Sequence, residues 1–329
     1  MKTVDYSKLE LSTQILIREA LARGINVDVL DWDDNFIRLR KGDKTEYIKQ
    51  ATETSADTYI APLIMENKEV TKIVLKEHGV SVPEGITVHS TTEAAQHFPT
   101  FAGTAVVIKP KSTNFGKGVV IIKECNYEKE YEEAVAQALT FDDAVLIERF
   151  VPGKEYRFLV IGEEVAAILH RVPANVEGDG RQTIEELVTA KNKNPLRGKG
   201  YVTPLEKLTL GAVEIDFLAQ QGRDIRTVPT EGETVYLREN SNISTGGDSI
   251  DCTDIIPEAY KHIAVQAARA VGAKICGADM IILDIAQPPD DHNHSIIELN
   301  FNPALHIHDY PYQGQNRHVE QKVLDLLGF

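Results

Sequence analysis

The chain has 329 residues, which is long enough for two or three lobes around a substantial buried core. Hydrophobic residues make up 42% of it and charged residues 26%, a balance typical of a folded globular protein that excludes a disordered one. The formal charge of −15 excludes a general nucleic-acid binder, because no basic excess is available to release counterions from phosphates.

The thiols and the apolar runs indicate the compartment. Cys125, Cys252 and Cys276 are too few and too scattered for a disulfide framework or a zinc site, which favours a reducing environment. The first residues contain no apolar signal core, and no apolar run is long enough to span a membrane. We therefore expect a cytoplasmic protein without membrane or nucleic-acid partners, and a homo-oligomer is left open.

The first 65 residues predict a small α/β segment. A helix over Leu9–Arg23 stops at Gly24, and a strand follows at Ile25–Leu30. Phe36–Arg40 and Thr45–Lys49 then form a hairpin. We find no catalytic constellation in this segment.

The next segment predicts a phosphate-binding loop between two strands. A helix from Glu66 to Gly79 carries Lys72, which by itself is typical of a solvated surface charge. The strand Thr104–Lys109 leads into a glycine-bearing loop, Lys111–Gly118, and a second strand follows. Such a loop can offer backbone N–H groups to phosphates, although a flexible hairpin tip fits the pattern equally well. It is not a P-loop, because a strand rather than a helix follows it.

A strand beginning at Val145 runs into a Pro-Gly turn after a helix over Glu128–Leu139. Residues just past such a strand can offer an adenine ring a backbone N–H and C=O, and Glu155 could bind ribose hydroxyls. The order of strand, Glu148, apolar hinge, Pro-Gly and Glu155 is a better signal than any single glutamate.

The following hundred residues mix hairpins with polar loops. A hairpin is predicted at Tyr156–Ile161 and Val165–His170, then a polar loop at His170–Gly180, and a capping box joins Thr183 to Glu186. Asn192–Pro204 is too rich in Gly and Pro for regular structure. Its cations could meet an anionic substrate or form a solvated loop: Lys193, Arg197 and Lys199. Strand Thr234–Arg238 and a helix opened by Pro257 follow.

Two apolar runs near the C-terminus, Met280–Ile285 and Ser295–Leu299, predict adjacent antiparallel strands. Asp279 starts the first strand, and Glu298 and Asn300 project from one face near the end of the second. Two carboxylates and an amide oxygen suit Mg²⁺, which normally shares its coordination sphere with substrate phosphates. The pattern therefore predicts a nucleoside triphosphate site, whereas E-x-N in isolation is more typical of an acidic surface hairpin.

In this order the motifs resemble the ATP-grasp superfamily over essentially the whole chain after Glu66. The resemblance implies an α/β fold in which two lobes grip ATP, with an N-lobe at 66–154, a C-lobe at 155–329 and the small segment 1–65 in front. It rests on these residues: Lys72, Lys109, Gly116, Gly118, Glu148, Glu155, Asp279, Glu298 and Asn300.

Within that superfamily the chain resembles the C-terminal module of bifunctional glutamate–cysteine ligase/glutathione synthetase. The segments that carry the resemblance are His170–Gly180, Asn194–Lys207 and Asn300–Gly314. Val235–Asp251 is also similar to cyanophycin synthetase. The given sequence contains no glutamate–cysteine ligase segment, so we expect a stand-alone relative or an isolated module, with a separate ligase as a possible source of substrate.

The resemblance implies ATP-dependent amide formation through an acylphosphate, with γ-glutamylcysteine as the donor and glycine as the acceptor. Mg²⁺ would be held by Asp279, Glu298 and Asn300, with a second ion or Mn²⁺ left open. Arg171, Arg238 and Asn300 are the catalytic candidates, the two arginines for the donor carboxylate and the oxyanion. ATP would be bound by Lys72, Lys109, Lys111, Gly116, Gly118, Glu148, Arg149, Phe150, Val151 and Glu155. His306 and His308 are expected to contact the acceptor or to be structural, because a hard cation prefers oxygen.

Two alternatives stay open. The first is another amino-acid or peptide ligase of this fold, such as a dipeptide or cyanophycin-like ligase. The second is a nucleotide-binding subunit without chemistry, against which the complete set of Asp279, Glu298 and Asn300 speaks.

Overall fold

The computed structural model describes residues 4–113, 118–200 and 202–329. Its helices are α1 (Leu11–Ala22), α2 (Ile60–Glu66), α3 (Lys68–Glu77), α4 (Thr91–Phe101), α5 (Glu128–Leu139), α6 (Ile184–Lys191), α7 (Ala212–Gln220), α8 (Glu258–Ala270), α9 (His306–Asp309) and α10 (Val319–Leu326). Its strands are β1 (Asn26–Asp31), β2 (Phe36–Lys41), β3 (Lys44–Lys49), β4 (Gly85–Val88), β5 (Val106–Pro110), β6 (Val120–Ile122), β7 (Val145–Arg149), β8 (Lys154–Ile161), β9 (Glu164–Val172), β10 (Asn175–Glu177), β11 (Arg197–Gly198), β12 (Leu205–Glu206), β13 (Thr234–Tyr236), β14 (Asp248–Asp251), β15 (Ile275–Ile282) and β16 (His294–Asn300).

A five-stranded antiparallel sheet, in the order β14-β9-β8-β15-β16, forms the centre of the molecule. Side chains alternate between its two faces, so every second residue of each strand enters the same layer. One face is apolar throughout, and α2, α3 and α8 cover it. The core between them includes Phe158, Ile168, Ala278, Met280 and Tyr260.

The opposite face of this sheet is apolar at one end of its strands and charged at the other. At one end Leu159, Ala167 and Ile275 pack against α1, α10 and the three-stranded sheet β1-β2-β3. At the other end the same face carries Arg157 and Asp279. The apolar half therefore anchors the N-terminal segment, and the polar half is left to form a site.

A second antiparallel sheet, in the order β4-β7-β5-β6, has α4 and α5 on one face. Ile108 and Ile147 point into that layer beside Tyr131 and Val135. Because side chains alternate, Lys109 on β5 and Glu148 on β7 project from the other face.

Residues 173–247 are inserted between β9 and β14. They contain α6 and α7, the antiparallel pair β10–β13 and the short parallel pair β11–β12. Ile184, Leu218 and Leu237 belong to a core of their own. The insertion is thus a compact layer attached to the edge of the five-stranded sheet.

Several predicted helices and strands are confirmed, and the structure adds the state of the thiols and the character of the helices. The first helix and the hairpin after it are present as α1 and β2–β3, and α5 has the predicted bounds. Thr183 and Glu186 form the predicted capping box at the start of α6. Cys125, Cys252 and Cys276 are buried and unpaired. No helix in the described ranges combines the length and the apolarity needed to cross a membrane.

Three boundaries were wrong for local reasons. The helix predicted from Glu66 begins at Lys68, because Asn67 is extended and its side chain caps α3 by accepting the Val70 N–H at 3.2 Å. The predicted loop His170–Gly180 includes the end of β9 and the whole of β10, which pairs with β13. The first strand of the C-terminal hairpin is β15, so Asp279 lies inside it rather than at its start.

The domain boundaries at 65/66 and 154/155 stay a prediction. Two packing facts bear on them. The segment 1–65 shares a core with β8 and β15 of the five-stranded sheet. Helix α3 packs on that same sheet through Leu75, rather than on the four-stranded one.

Candidate active site

Asp279 is the buried carboxylate at the polar end of the five-stranded sheet, and only 1% of its surface is exposed. Arg157, its register partner on β8, donates from Nη2 at 2.7 Å and from Nε to the other oxygen. Arg171 on β9 donates at 3.2 Å. Burial alone raises the pKa of Asp279, but the two guanidinium charges outweigh burial and hold the pKa below its usual value. Asp279 is therefore ionised.

Gly277 makes room for this pair. A Cβ at Gly277 would lie 2.9 Å from Cδ and 3.2 Å from Nη1 of Arg157. The Arg157 side chain can cross the sheet to Asp279 only because position 277 has no side chain.

Asn300 and Glu298 on β16 complete the predicted metal set. Asn300 Nδ2 donates to Asp279 at 3.3 Å, and Glu298 lies 3.5 Å from the Lys68 ammonium. Glu298 and Asn300 both line the cleft described below, and Asp279 lies behind them. We call Arg157, Arg171, Asp279, Glu298 and Asn300 the hairpin cluster.

The chemistry of this donor set fits a hard cation. Its ligands would all be oxygens, from the carboxylates of Asp279 and Glu298 and from the amide of Asn300. Glu298 and Asn300 line the cleft. No group of three or more His, Cys, Asp or Glu side chains suited to a metal ion occurs in the described residues. A cation here would therefore depend on the amide oxygen and on ligands from a substrate.

Three predicted residues meet in a second group, the lysine cluster: Lys72, Lys109 and Glu148. The Glu148 carboxylate, 3% exposed, pairs with Lys72 from α3 and with Lys109 from β5 at 3.0 Å. Burial and the neighbouring Lys109 charge hold the pKa of Lys72 well below its usual range. Burial lowers the pKa of Lys109 to about 8. An anion bound here would favour the charged form of both lysines, so the cluster is suited to receive one.

Lys68 connects the two clusters. It lies one helical turn before Lys72, and its ammonium group is 3.5 Å from Glu298. Lys68, Lys72 and Glu298 line one narrow recess between α3 and β16.

The predicted phosphate loop is described only at its ends. Lys111 pairs with Glu69 at 2.7 Å, and Lys68 donates to the Thr113 carbonyl at 2.6 Å. Gly118 has a φ of +76°, and a Cβ there would lie 2.7 Å from both Phe141 and Pro110, so the position requires glycine. Gly116 lies outside the described residues.

The predicted adenine hinge, Arg149–Val151, joins β7 to β8. The Phe150 N–H donates to Ala105 at 2.8 Å, and the Arg149 guanidinium lies 3.3 Å from Glu84. The Val151 N–H makes no backbone hydrogen bond to another residue within the described ranges.

The predicted ribose residue, Glu155, lies beside the hairpin cluster. It pairs with Arg171 and accepts the Ser241 hydroxyl at 2.5 Å. Arg238, in contrast, pairs at 2.5 Å with the buried Glu214 in the insertion and is not among the described residues that line the cleft. The structure thus brings Arg171 to the cleft and places Arg238 outside its lining. The roles of both arginines stay predictions.

A cleft of about 340 Å³ lies over the polar end of the sheet. One side comes from the hairpin cluster, and the facing wall comes from the insertion through Thr203, Pro204 and the segment 242–244. The sequence reasoning missed Arg157 and Lys68. Both carried a signal: Arg157 follows Glu155 at the strand period of two, and Lys68 precedes Lys72 by one helical turn.

His306 also lines the cleft, and Ser12 of α1 fixes its tautomer. Ser12 Oγ accepts the N–H of Leu305 at 3.1 Å and that of His306 at 3.4 Å, so its own proton is directed at His306 Nδ1, 2.9 Å away. The ring therefore carries its proton on Nε2. Burial lowers the pKa of His306 to about 4, so the ring is a neutral hydrogen-bond donor.

His308 has a different environment. It is fully buried, neither ring nitrogen has a hydrogen-bond partner in the described part of the chain, and burial lowers its pKa to about 3. His308 is therefore a neutral ring packed in the interior, which fits the structural role of the two roles predicted for it.

Comparisons with known proteins bear on the fold and the relatives of this chain. A model described as an ATP-grasp-like domain matches residues 7–60, and a model described as a sugar-transfer associated ATP-grasp matches residues 44–151. The glutathione biosynthesis bifunctional protein GshAB of Clostridium perfringens is 56% identical over 324 residues, 98% of this chain and 42% of that protein. The protein of the same name from Desulfotalea psychrophila is 53% identical over 321 residues, 98% of this chain and 41% of that protein.

A solved structure is similar to this chain over nearly its whole length. The crystal structure of a bifunctional glutathione synthetase from Pasteurella multocida matches with a TM-score of 0.79 and 45% identity, over 98% of this chain and 44% of that one. The chain thus spans less than half the length of the relatives that it matches. Two ATP-grasp models match parts of the chain and the solved structure matches nearly all of it, so the chain has the ATP-grasp fold and is similar to one part of the bifunctional glutathione proteins.

Proposed function

We propose that this chain is an ATP-dependent carboxylate–amine ligase that joins γ-glutamylcysteine to glycine. The observation that carries the proposal is that the lysine cluster lies next to the oxygen ligands of the hairpin cluster: Lys72 and Glu298 line one recess, and Glu298 also lines the cleft. Phosphoryl transfer to a carboxylate brings anions together, so its catalysis consists mainly of positioning and charge neutralisation. The similarity to glutathione biosynthesis proteins supports the choice of substrates.

The nucleotide occupies the side of the lysine cluster. Lys72 and Lys109 neutralise the phosphates, and Glu148 keeps the two ammonium groups in place when no phosphate is bound. The loop from Lys111 through Gly116 to Gly118 covers the triphosphate. The hinge Arg149, Phe150 and Val151 faces the adenine, and Glu155 the ribose.

Glu298 and Asn300 at the cleft, with Asp279 behind them, would hold Mg²⁺, which would supply positive charge to the phosphate oxygens. Coordination by Asp279 would replace one of its guanidinium contacts. Arg157 holds the Asp279 carboxylate ionised and oriented. A second ion, or Mn²⁺ in place of Mg²⁺, fits the same oxygen donors.

The donor carboxylate attacks the γ-phosphoryl group of ATP, which releases ADP and forms the acylphosphate. The amine then attacks the acyl carbon, loses a proton and displaces phosphate. Arg171 lines the cleft and can hold the donor carboxylate and the developing oxyanion. That Arg238 shares in binding the donor carboxylate or the oxyanion stays a prediction. His306 offers its Nε2–H as a hydrogen-bond donor to the amine substrate. A carboxylate of that substrate is the natural partner for this N–H.

The surroundings of the reaction are part of the proposal. The relatives are more than twice as long as this chain, so a separate glutamate–cysteine ligase, a homo-oligomer and a cytoplasmic location stay predictions. The three buried, unpaired thiols support a reducing compartment.

The test is Mg²⁺-dependent release of ADP, screened over γ-glutamylcysteine and related carboxylate donors with glycine and other amines. ADP release with γ-glutamylcysteine and glycine, together with glutathione as product, supports the proposal. ADP release only with other pairs would replace the substrates and keep the ligase. No ADP with any pair would contradict the function.

A further inference from the structure

The wall of the cleft that faces the hairpin cluster has little regular structure. It is built from Thr203, Pro204 and Glu206, and from a 3₁₀ turn at Ile243–Thr245 with the residue before it. Its only ladder in the described residues is the two-residue pair β11–β12. Segments of this kind are mobile unless other contacts fix them, and a mobile wall cannot position a substrate.

Arg197 fixes both segments. None of its side chain is exposed. Its Nη1 donates to the Glu206 carbonyl at 2.7 Å and to the Gly246 carbonyl at 3.0 Å, and its Nη2 pairs with Asp248 on β14. One guanidinium therefore joins the two halves of the wall to the edge of the five-stranded sheet.

Asp248 is itself held firmly. Lys191 donates to it at 2.6 Å and Asn175 at 3.0 Å. The Tyr312 ring lies against both cations, 5.4 Å from the Arg197 guanidinium and 5.1 Å from the Lys191 ammonium. The next residue of β14, Ser249, is the register partner of Arg171. The wall is thus tied to the strand pair that carries Arg171.

The backbone around this link is closely packed. A Cβ at Gly198 would lie 2.3 Å from Thr203 Oγ1. The segment that carries Thr203 therefore lies directly against the residue that follows Arg197, and a small change at position 198 must displace it.

The geometry points to Arg197 as a positioning residue that sets the affinity for the carboxylate and amine substrates by holding 203–206 and 242–246 in place. This role rests on the proposed ligase function. Arg197 contacts no residue of the lysine cluster, so nucleotide affinity is not under its control. Both sequence interpretations of this cation, an anion contact and a solvated loop, are wrong, because its side chain is buried and paired with Asp248.

Arg197→Lys tests the role, because it keeps the charge beside Asp248 and loses the planar fork that reaches two carbonyls. We expect the KM for γ-glutamylcysteine or glycine to rise at least tenfold while the KM for ATP stays within twofold. Amide hydrogen exchange in 198–206 and 242–246 of the free protein should accelerate in parallel. Arg223→Lys is the matched control, since Arg223 pairs with Glu233 in the same insertion and does not line the cleft.

Gly198→Ala is the second variant, for the case that Arg197→Lys fails to fold. It leaves the charges intact, displaces Thr203 and should produce the same rise in substrate KM with ATP unaffected. Substrate KM values within twofold of wild type in both variants would overturn the inference, as would equal rises for ATP and substrate. A wild-type protein inactive with every donor and amine would instead refute the ligase function, and the exchange rates would still test whether Arg197 fixes the wall.

Discussion

The lysine cluster and the hairpin cluster both place two cations around one buried carboxylate, yet they are built for different tasks. Around Glu148 the cations are lysines whose pKa values are lowered, so their charge depends on pH and on a bound anion. Around Asp279 they are arginines, which stay charged at every working pH. The first arrangement is suited to receive phosphate charge, and the second keeps a carboxylate ionised and in place.

The two clusters also differ in where their parts come from. Lys72 lies on α3, which packs on the five-stranded sheet, whereas Lys109 and Glu148 lie on the four-stranded sheet. The residues of the hairpin cluster all lie on neighbouring strands of one sheet. A movement of one sheet against the other would therefore alter the lysine cluster and leave the hairpin cluster intact.

The largest effect is expected at the hairpin cluster. Glu298→Ala removes the carboxylate proposed as a ligand of Mg²⁺ and should lower kcat by roughly 10³-fold, about 4 kcal/mol, with the fold unchanged. Steady-state ADP release and circular dichroism measure both. Asp291→Ala, at an exposed carboxylate in the loop of the same hairpin, should leave kcat unaltered. Turnover that survives in Glu298→Ala would refute the metal assignment.

Arg157→Met should mainly destabilise the fold. It leaves the buried Asp279 with only Arg171 as a charged partner, which is expected to lower the free energy of unfolding by about 3 kcal/mol. Urea unfolding gives the value. The control is Arg269→Met, where both partners of the ion pair with Glu163 are exposed and no measurable change is expected. Equal stability of the two variants would mean that Asp279 does not need Arg157.

Lys109 should make ATP binding depend on pH. Its pKa of about 8 means that the ammonium loses its charge as pH rises through that value, so wild-type ATP affinity should fall between pH 7 and pH 9. Lys109→Met should weaken ATP binding about tenfold at pH 7 and flatten this dependence. Titration calorimetry measures the dissociation constants, with the exposed Lys129→Met as the control. A wild-type affinity independent of pH would contradict the role of Lys109.

The same pKa has a consequence for stability. Lys109 in the folded protein releases its proton near pH 8, whereas in the unfolded chain it does so near the ordinary value of 10.5. The unfolded state binds more protons between those values, so the contribution of this group to the free energy of unfolding rises with pH across that window.

The smallest effect is expected from Ser12→Ala, which removes the hydroxyl that fixes the His306 tautomer. The variant loses all three hydrogen bonds of the Ser12 hydroxyl, but only the one to His306 Nδ1 orients the ring. That bond is worth about 1 kcal/mol, so the KM for the amine acceptor should rise about fivefold while kcat and the KM for ATP stay unchanged. Ser7→Ala on the exposed turn before α1 serves as the control. An unaltered acceptor KM would show that the orientation of His306 is not used in binding.

Within the hairpin cluster the pairing of Glu298 with Asn300 was predictable from sequence, because strand alternation places both on one face whatever the rest of the fold does. The order of the predicted helices and strands also indicated the α/β class and the position of the glycine loop between two strands. The partners of Asp279 were not predictable in the same way. Arg157 and Arg171 reach it only because β8 and β9 lie next to β15, and strand order is a long-range property.

The insertion shows where sequence reasoning ends. Lys193, Arg197 and Lys199 look alike in a Gly- and Pro-rich stretch, yet Lys193 and Lys199 are exposed and Arg197 is buried. What separates them is Asp248, fifty-one positions along the chain from Arg197 and brought close by the pairing of β14 with β9. The composition of the stretch around Arg197 therefore does not predict its contact with Asp248.

The central claim is a ligase reaction through an acylphosphate, and isotope transfer tests it most directly. γ-Glutamylcysteine labelled with ¹⁸O in its glycyl-accepting carboxylate would be converted with ATP, Mg²⁺ and glycine, and the released phosphate analysed by mass spectrometry. The account predicts one ¹⁸O in the phosphate for each peptide bond formed, because the carboxylate oxygen leaves with the phosphoryl group. Product formed with unlabelled phosphate, or with AMP and pyrophosphate, would contradict it.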